Sequence, residues 1–193
     1  MKAANPFSLF EDWYREAVDA GIPDPTIMTL ATVDGEGNPA ARMVLLKSFD
    51  EKGFVFYTNY GSRKGMDLEK NPRAALVLHW LETGRQVRIE GHAEKVSAIE
   101  SDRYFESRPR GSQLGAWASE QSRVIPSKTS LDESLKKWSS EFRDQPVPRP
   151  PHWGGYRVVP VRMEFWSDRK NRMHERWLFE KTERDWVIKR LAP

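Results

Sequence analysis

A succession of short, β-branched, alternating segments divided by turn residues constrains this chain more than any other feature. Ile27 to Val33 alternates, Asp34-Gly35-Glu36-Gly37-Asn38 is turn chemistry, and Ala40 to Phe49 resumes as a second strand. That pattern predicts an antiparallel hairpin. After Asp50-Glu51-Lys52-Gly53 comes a third strand, Phe54 to Thr58; Ala74 to Trp80 and Gln86 to Glu94 flank a turn at Glu82-Thr83-Gly84. Tyr156 to Trp166, Met173 to Glu180 and Trp186 to Leu191 complete the series. No βαβ alternation is visible. Strands at this spacing, with helices inserted between them, predict a mainly β (α+β) chain built as an antiparallel barrel or sandwich.

The helices announce themselves by caps. Ser8-Leu9-Phe10-Glu11 reads as a capping box opening a helix over about 8–20, with Phe10, Trp13, Tyr14 and Ala17 at helical spacing before Gly21-Ile22-Pro23. Ser62 to Lys70 reads as a short helix, and Ser97-Ala98-Ile99-Glu100 opens another over about 97–107 that Pro109 ends. Gln113 to Ala118 suggests one more helical turn. Ser130-Leu131-Asp132-Glu133 caps a helix over about 130–142, and Pro146 to Pro151 is an extended linker. At 193 residues the chain suits a single domain with helical additions and a sizeable core.

Composition narrows the function classes. There are no cysteines, which removes disulfides, thiolate metal sites and cysteine nucleophiles and suits a reducing cytoplasm. Met1-Lys2-Ala3-Ala4-Asn5-Pro6 lacks an apolar leader, and no apolar run approaches a membrane span of ~18 residues. The expectation is a cytoplasmic protein with no membrane partner. Thirty-one basic against 28 acidic residues leave a formal charge of +3, too little to argue for nucleic acid. The cations instead cluster at Arg63-Lys64, Arg108-Pro109-Arg110 and Arg169 to Arg176, a pattern suited to phosphate-sized anions.

Several motifs carry chemistry. Tyr57-Thr58-Asn59-Tyr60-Gly61-Ser62-Arg63-Lys64 runs from a strand through a Gly to a helix start, where backbone N–H groups, a hydroxyl and two cations can cradle phosphate. Tyr104, Arg108 and Ser112 recur every four residues and can converge on one small anion. In Arg42-Met43-Val44-Leu45-Leu46-Lys47, strict alternation sends Arg42 and Lys47 to opposite faces, so one ligand meets both only across a bulge or strand end. Near the C-terminus, alternation would place Arg172, His174 and Arg176 on one face and Met173 and Trp177 on the other. Walker, GxGxxG, GxSxG, HxxxH and HExxH patterns are absent, so no NTPase, Rossmann, serine-hydrolase or metal site is expected.

Taken in order, Arg42 to Lys47, Tyr57-Thr58-Asn59, Gly61-Ser62-Arg63-Lys64, Arg85-Gln86-Val87, Tyr104 to Pro109, Gln121-Ser122, Trp153-Gly154-Gly155, Phe165 to Trp177 and Arg190-Leu191-Ala192-Pro193 resemble the pyridoxamine 5'-phosphate oxidase family. The resemblance runs from about Asp24 to the C-terminus. It implies a homodimeric, FMN-binding split β-barrel of antiparallel Greek-key type with FMN at the subunit interface. It implies FMN-dependent oxidation of pyridoxamine 5'-phosphate or pyridoxine 5'-phosphate to pyridoxal 5'-phosphate, with O2 as acceptor giving H2O2 and NH3 from the amine. Carried over position by position, Arg42, Met43, Val44, Leu45, Leu46, Lys47, Tyr57, Thr58, Arg63, Lys64, Gln86, Gln121, Ser122, Trp166 and Arg176 would hold FMN. Lys47, Tyr104, Arg108, Ser112, Arg172, Met173 and His174 would hold substrate, with Arg172 and His174 catalytic. Met173 and Glu175 stand where the family pattern leads one to expect Leu and Asp. Only a few residues precede Ser8, so a segment that can fold over the substrate is not carried over. The competing classes are a flavin reductase-like split-barrel enzyme and a non-catalytic FMN- or pyridoxal-phosphate-binding protein.

Overall fold

The computed structural model describes residues 5–193; Met1 to Ala4, the start of the stretch read above for an apolar leader, lie outside the described residues. Among the described residues the strands are β1 (Ile27–Val33), β2 (Pro39–Leu45), β3 (Ser48–Asp50), β4 (Gly53–Asn59), β5 (Arg73–Trp80), β6 (Arg85–Lys95), β7 (Trp153–Ser167), β8 (Glu175–Lys181) and β9 (Trp186–Leu191). They pair antiparallel throughout, in the order β2-β1-β5-β6-β7-β4-β3, with β8 and β9 added on the later half of β7.

That order dictates the shape. The two edge strands, β2 and β3, are separated along the chain only by Leu46 and Lys47, so the sheet has to curl until its edges nearly meet. The crossing residues are anchored one on each side: the Leu46 backbone N–H extends the β1–β2 ladder to the Thr26 carbonyl at 2.9 Å, and that of Lys47 extends the β3–β4 ladder to the Val55 carbonyl at 2.8 Å. β5, β6 and β7 lie in sequence order and β4 returns beside β7, which is the Greek-key arrangement. The outcome is an antiparallel barrel, one of the two architectures that the strand pattern allows, split as the resemblance implies.

The interior follows from alternation. Met28, Leu30, Phe54, Phe56, Leu76, Leu78, Val87, Ile89, Met163 and Phe165 all turn inward. Helix α1 (Pro6–Asp19) lays Phe7, Phe10, Trp13 and Ala17 against the barrel. Phe10 meets Phe49 and Phe54 edge-on at 4.8 Å, and burying each such ring is worth roughly 1.5–3 kcal/mol. Helices α2 (Arg63–Lys70), α3 (Ala98–Ser107), α4 (Arg110–Ala118) and α5 (Lys128–Glu141) fill the connections. Phe105 of α3, Leu114 of α4 and Trp153 of β7 form a second small core with Phe142 and Val147. No helix among the described residues is long and apolar enough to cross a membrane.

The structure departs from the sequence expectations at four places. Ala40 to Phe49 is not one strand, because Leu46 drops into the core at 3% exposure and the chain there steps from one sheet edge to the other. Arg172, His174 and Arg176 do not alternate along one strand. Lys170–Arg172 form a 3-10 turn with Asn171 at φ 58° and Arg172 at φ 60°, and β8 begins only at Glu175. Nothing from Asp168 to Arg172 is apolar enough to pin a strand to the core, and Asn tolerates the left-handed region. The first helix is capped by Asn5, whose side chain accepts the Phe7 N–H at 2.8 Å, with Pro6 in the first turn where its missing N–H is harmless. α5 is capped by Ser127 rather than Ser130, whose N–H donates to the Ser127 hydroxyl at 3.2 Å.

Candidate active site

A cleft of about 640 Å³ opens on the outside of the barrel beside the β2–β3 seam. β2 contributes Met43, Val44 and Leu45, the seam Lys47, β4 Tyr57 and Thr58, and α2 Lys64. α3 and α4 close it with Tyr104, Arg108 and Ser112, and Gln121 comes from the loop after α4. The break at Leu46 is what lets Val44 and Lys47 serve the same cleft.

At one end lies the start of α2. Ser62 caps the helix, accepting the Gly65 N–H at 3.4 Å. The Lys64 ammonium is buried and donates to Thr58 Oγ1 at 3.0 Å, Gln121 Oε1 at 3.1 Å and Ser62 Oγ at 3.3 Å. All three partners are neutral. Burial first, and the Arg42 charge second, push the Lys64 pKa down to about 8. A desolvated cation among neutral acceptors at a helix N-terminus is a site that gains by receiving an anion. Arg42 stands behind it: its Nη1 donates to Thr32 Oγ1 at 2.6 Å and to the Leu30 carbonyl at 3.3 Å.

At the other end, three rings stack. Tyr57 lies 3.9 Å from Tyr104 and 5.4 Å from Trp153, centroid to centroid, nearly parallel to both. The seat of the Tyr57 ring depends on Gly155, where a Cβ would sit 2.8 Å from that ring; next to it, a Cβ on Gly154 would sit 2.1 Å from the Tyr60 hydroxyl. Burial, then Glu100, push the Tyr57 phenol up to about 12, so it stays a neutral donor. The Arg108 guanidinium rides 4.6 Å over the Trp153 ring. Its Nη1 is buried without a hydrogen-bond partner, and burial lowers its pKa despite the opposing Tyr104. An unpaired buried guanidinium nitrogen costs about 1–3 kcal/mol or more until something accepts from it. Lys47, Tyr104 and Ser112 line the same cleft, a set of groups whose chemistry suits a small anion.

The remaining carried-over residues do not join this cleft. Gln86, Trp166 and Arg176 form one row across β6, β7 and β8. His174 packs on the Trp166 ring at 4.6 Å, its Nδ1 facing the Arg169 N–H at 3.2 Å and Asp168 Oδ1 at 3.1 Å. Arg176 donates through Nε to Glu164 at 2.8 Å and through Nη1 to the Ala192 carbonyl at 3.0 Å; that carboxylate raises its pKa. Arg172 and Met173 are exposed beside this group, and among the described residues the Arg172 guanidinium makes no ion pair. The stretch of β4 that serves the cleft pairs with Trp153–Val158 of β7, whereas Trp166 lies eight residues beyond Val158 along β7, roughly 26 Å at about 3.3 Å per residue. On a barrel's outer surface such side chains diverge. Within one chain, therefore, the predicted residues fall into two groups that do not meet.

Of the others, Leu46 turns into the core, Arg63 is exposed at the start of α2, and Ser122 sits in the loop at φ 71°. Sequence reasoning missed Asn59 and Trp153 as cleft residues. Trp153 had a signal, an aromatic placed between the Pro-rich run and Gly154-Gly155; Asn59 had none beyond its place at a strand end.

Fold and site together define an antiparallel split-barrel protein with an outer cleft for a flat, anionic small molecule. The chain belongs to the pyridoxamine 5'-phosphate oxidase family. The family model described as pyridoxamine 5'-phosphate oxidase matches residues 14–141, and that described as the pyridoxine 5'-phosphate oxidase C-terminal dimerisation region matches residues 153–193. A pyridoxine/pyridoxamine 5'-phosphate oxidase of Acaryochloris marina is 55% identical over 98% of this chain and 87% of its own length. One from Cupriavidus necator is also 55% identical, over 99% of this chain and 90% of its own length. Among solved structures, PhzG from Burkholderia lata, in complex with tetrahydrophenazine-1-carboxylic acid, superposes with a TM-score of 0.94 at 31% identity, covering 100% of this chain and 94% of its own. A pyridoxamine 5'-phosphate oxidase-related, FMN-binding protein of Nostoc punctiforme shares the fold, with a TM-score of 0.75 at 19% identity over 93% of this chain and 95% of its own.

Proposed function

We propose that this protein oxidises pyridoxamine 5'-phosphate or pyridoxine 5'-phosphate to pyridoxal 5'-phosphate at a site shared between two copies of the chain. FMN is the cofactor. The observation that carries this reading is the unpaired, buried Nη1 of Arg108, held over Trp153 in a cleft that also contains Lys47, Tyr104 and Ser112. It is the arrangement expected of a phosphate clamp for a small aromatic substrate.

The residues present fit both ligands. Lys64, Arg63, Ser62 and the α2 N-terminus suit the phosphate of FMN, with Arg42 behind them, while Met43, Val44 and Leu45 offer an apolar strand edge beside a flat ring. Met43 is 59% exposed, a surface that a ring system and a second subunit would cover. Gln86, Trp166 and Arg176 from the second subunit complete the cofactor site, and Arg172, Met173 and His174 approach the substrate from that side. A family model for a dimerisation region over residues 153–193 supports this sharing, as does the divergence of the two residue groups on one barrel.

Bound FMN would supply the two-electron redox chemistry between the substrate carbon and O2, which would leave as H2O2; with the amine substrate, water would be consumed and ammonia released. The chain's own work is orientation and charge. Lys47, Tyr104, Arg108 and Ser112 fix the phosphate and so the distance of the reacting carbon from the cofactor. Tyr57 and Trp153 wall off water on one side. Arg172 supplies positive charge next to the substrate ring, and His174, seated on Trp166, holds or moves a proton at the substrate oxygen or nitrogen.

PhzG, solved with a fused-ring carboxylic acid, supports a second reading in which the cleft serves such an acid. Purified protein is expected to be yellow, or to become so with FMN, and to form H2O2 and pyridoxal 5'-phosphate from pyridoxamine 5'-phosphate. A protein that takes up FMN but oxidises only a reduced phenazine carboxylate would favour the second reading; one that never takes up FMN would contradict both.

Lys64 makes FMN binding pH-dependent. Its pKa of about 8 in the free protein rises when a phosphate dianion arrives, so the bound state holds more protons above that pH. Affinity is then flat below about pH 8 and falls above it, by up to about tenfold per pH unit. Fluorescence titrations of apoprotein from pH 6.5 to 9.5 check this, and Lys64→Met is expected to flatten the slope.

A further inference from the structure

We propose that Asp67, acting through Thr32, is a positioning residue that holds Arg42 ready for the cofactor phosphate; this rests on the assignment of Arg42 to FMN made above. Asp67 lies on the inner face of α2, one turn after Arg63 and Lys64, and is only 6% exposed; Thr32 on β1 is 1% exposed. A buried carboxylate is costly unless it is paired. Here its Oδ2 accepts the Thr32 hydroxyl proton at 2.7 Å and lies 3.6 Å from Arg42 Nη2.

The hydroxyl works as a relay with a fixed direction. Because the Thr32 proton points at Asp67, the oxygen lone pairs are turned toward Arg42 Nη1, 2.6 Å away. The Leu30 carbonyl takes a second bond from the same nitrogen at 3.3 Å. A long side chain that would otherwise sample many rotamers is fixed on the α2 side of β2, next to Lys64. Asp67 also ties the helix that carries Arg63 and Lys64 to the strand that carries Arg42, so the three cations keep one spacing. Their charge, less that of Asp67, is +2, the match of a phosphate monoester dianion.

Position and charge make opposite forecasts. Were Asp67 merely a negative charge near the phosphate, removing it would tighten FMN binding. If it positions Arg42, removing it weakens binding, and only while Arg42 is present.

The test is the FMN dissociation constant, read by flavin fluorescence on titrating apoprotein, for Asp67→Ala, Asp67→Asn, Thr32→Val, Arg42→Ala and the Asp67→Ala/Arg42→Ala pair. Asp67→Ala is expected to weaken binding about tenfold, yet less than about twofold when Arg42 is already Ala, the non-additivity of a direct coupling. Asp67→Asn keeps an acceptor for the Thr32 hydroxyl and is expected to stay within about threefold of the parent. Thr32→Val keeps the charge but breaks the relay, and is expected to weaken binding as Asp67→Ala does, which decides the matter if Asp67→Ala does not fold. Tighter binding by Asp67→Ala, equal weakening with and without Arg42, or unchanged binding by Thr32→Val overturns the role of Asp67 alone. Parental binding by Arg42→Ala overturns the cofactor assignment beneath it.

Discussion

Arg172→Leu is expected to lower turnover about 100-fold, the scale of losing a positioned charged group next to the reacting centre, with FMN affinity unchanged. Arg172 stands on a 3-10 turn with its backbone at φ 60°, as does Asn171 at φ 58°. A non-glycine residue in the left-handed region costs roughly 1–2 kcal/mol, and such strain concentrates where a side chain has to be presented at a set angle. Arg172 is exposed and without an ion pair among the described residues, next to His174 on its Trp166 platform. Among the described residues no ion-pair partner explains its placement; in the proposed shared site, a substrate held by a second copy would. Leu keeps the bulk and loses the charge, so kcat is expected to fall while the flavin spectrum and dissociation constant stay those of the parent. Near-normal turnover would remove Arg172 from the active site.

Arg108→Ala is expected to lower kcat/KM for pyridoxamine 5'-phosphate by about 100-fold, mostly through KM. Each charge-assisted bond is worth about 1.5–3 kcal/mol, and about 2.7 kcal/mol is a factor of 100. The orphaned Nη1 marks this residue as one whose stabilisation arrives only with the ligand. The same variant is expected barely to change turnover of unphosphorylated pyridoxamine, so the preference for the phosphate ester that the clamp predicts would collapse. An Arg108→Ala enzyme that still prefers the phosphorylated substrate by the parental factor would mean the phosphate lies elsewhere.

Local chemistry was legible where alternation or capping spoke for it. The β1–β2 turn, the Ser62 and Ser97 caps and the strands around Glu82-Thr83-Gly84 follow from turn residues and β-branching. The seam at Leu46 was not, because an apolar residue between two strand-like stretches looks the same whether the strand continues or crosses from one sheet edge to the other. A turn between Trp166 and Met173 was legible, but not the absence of a shared strand face for Arg172, His174 and Arg176, because polar residues in alternation with one Met carry no information about which face is buried. The two groups of site residues could be named from the resemblance, but their separation depends on strand order, which is set by long-range pairing. Asp67 and Thr32 left no mark in the sequence at all. A carboxylate on a short helix and a hydroxyl on a strand 35 residues away become partners only once α2 packs on β1.

The measurement that bears most directly on a shared site is complementation between two inactive chains. Arg108→Ala disables the cleft side and Arg172→Leu the opposite side, so each homodimer alone is nearly inactive. In a dimer with one chain of each kind, one site combines an intact cleft with an intact Arg172 and the other carries both lesions. Unfolding and refolding an equal mixture makes half the dimers mixed, with one of their two sites whole. Activity with pyridoxamine 5'-phosphate is then expected to recover to about a quarter of the parental value under the two-fold symmetry of a closed dimer. A refolded mixture no more active than its two parents would contradict the shared site.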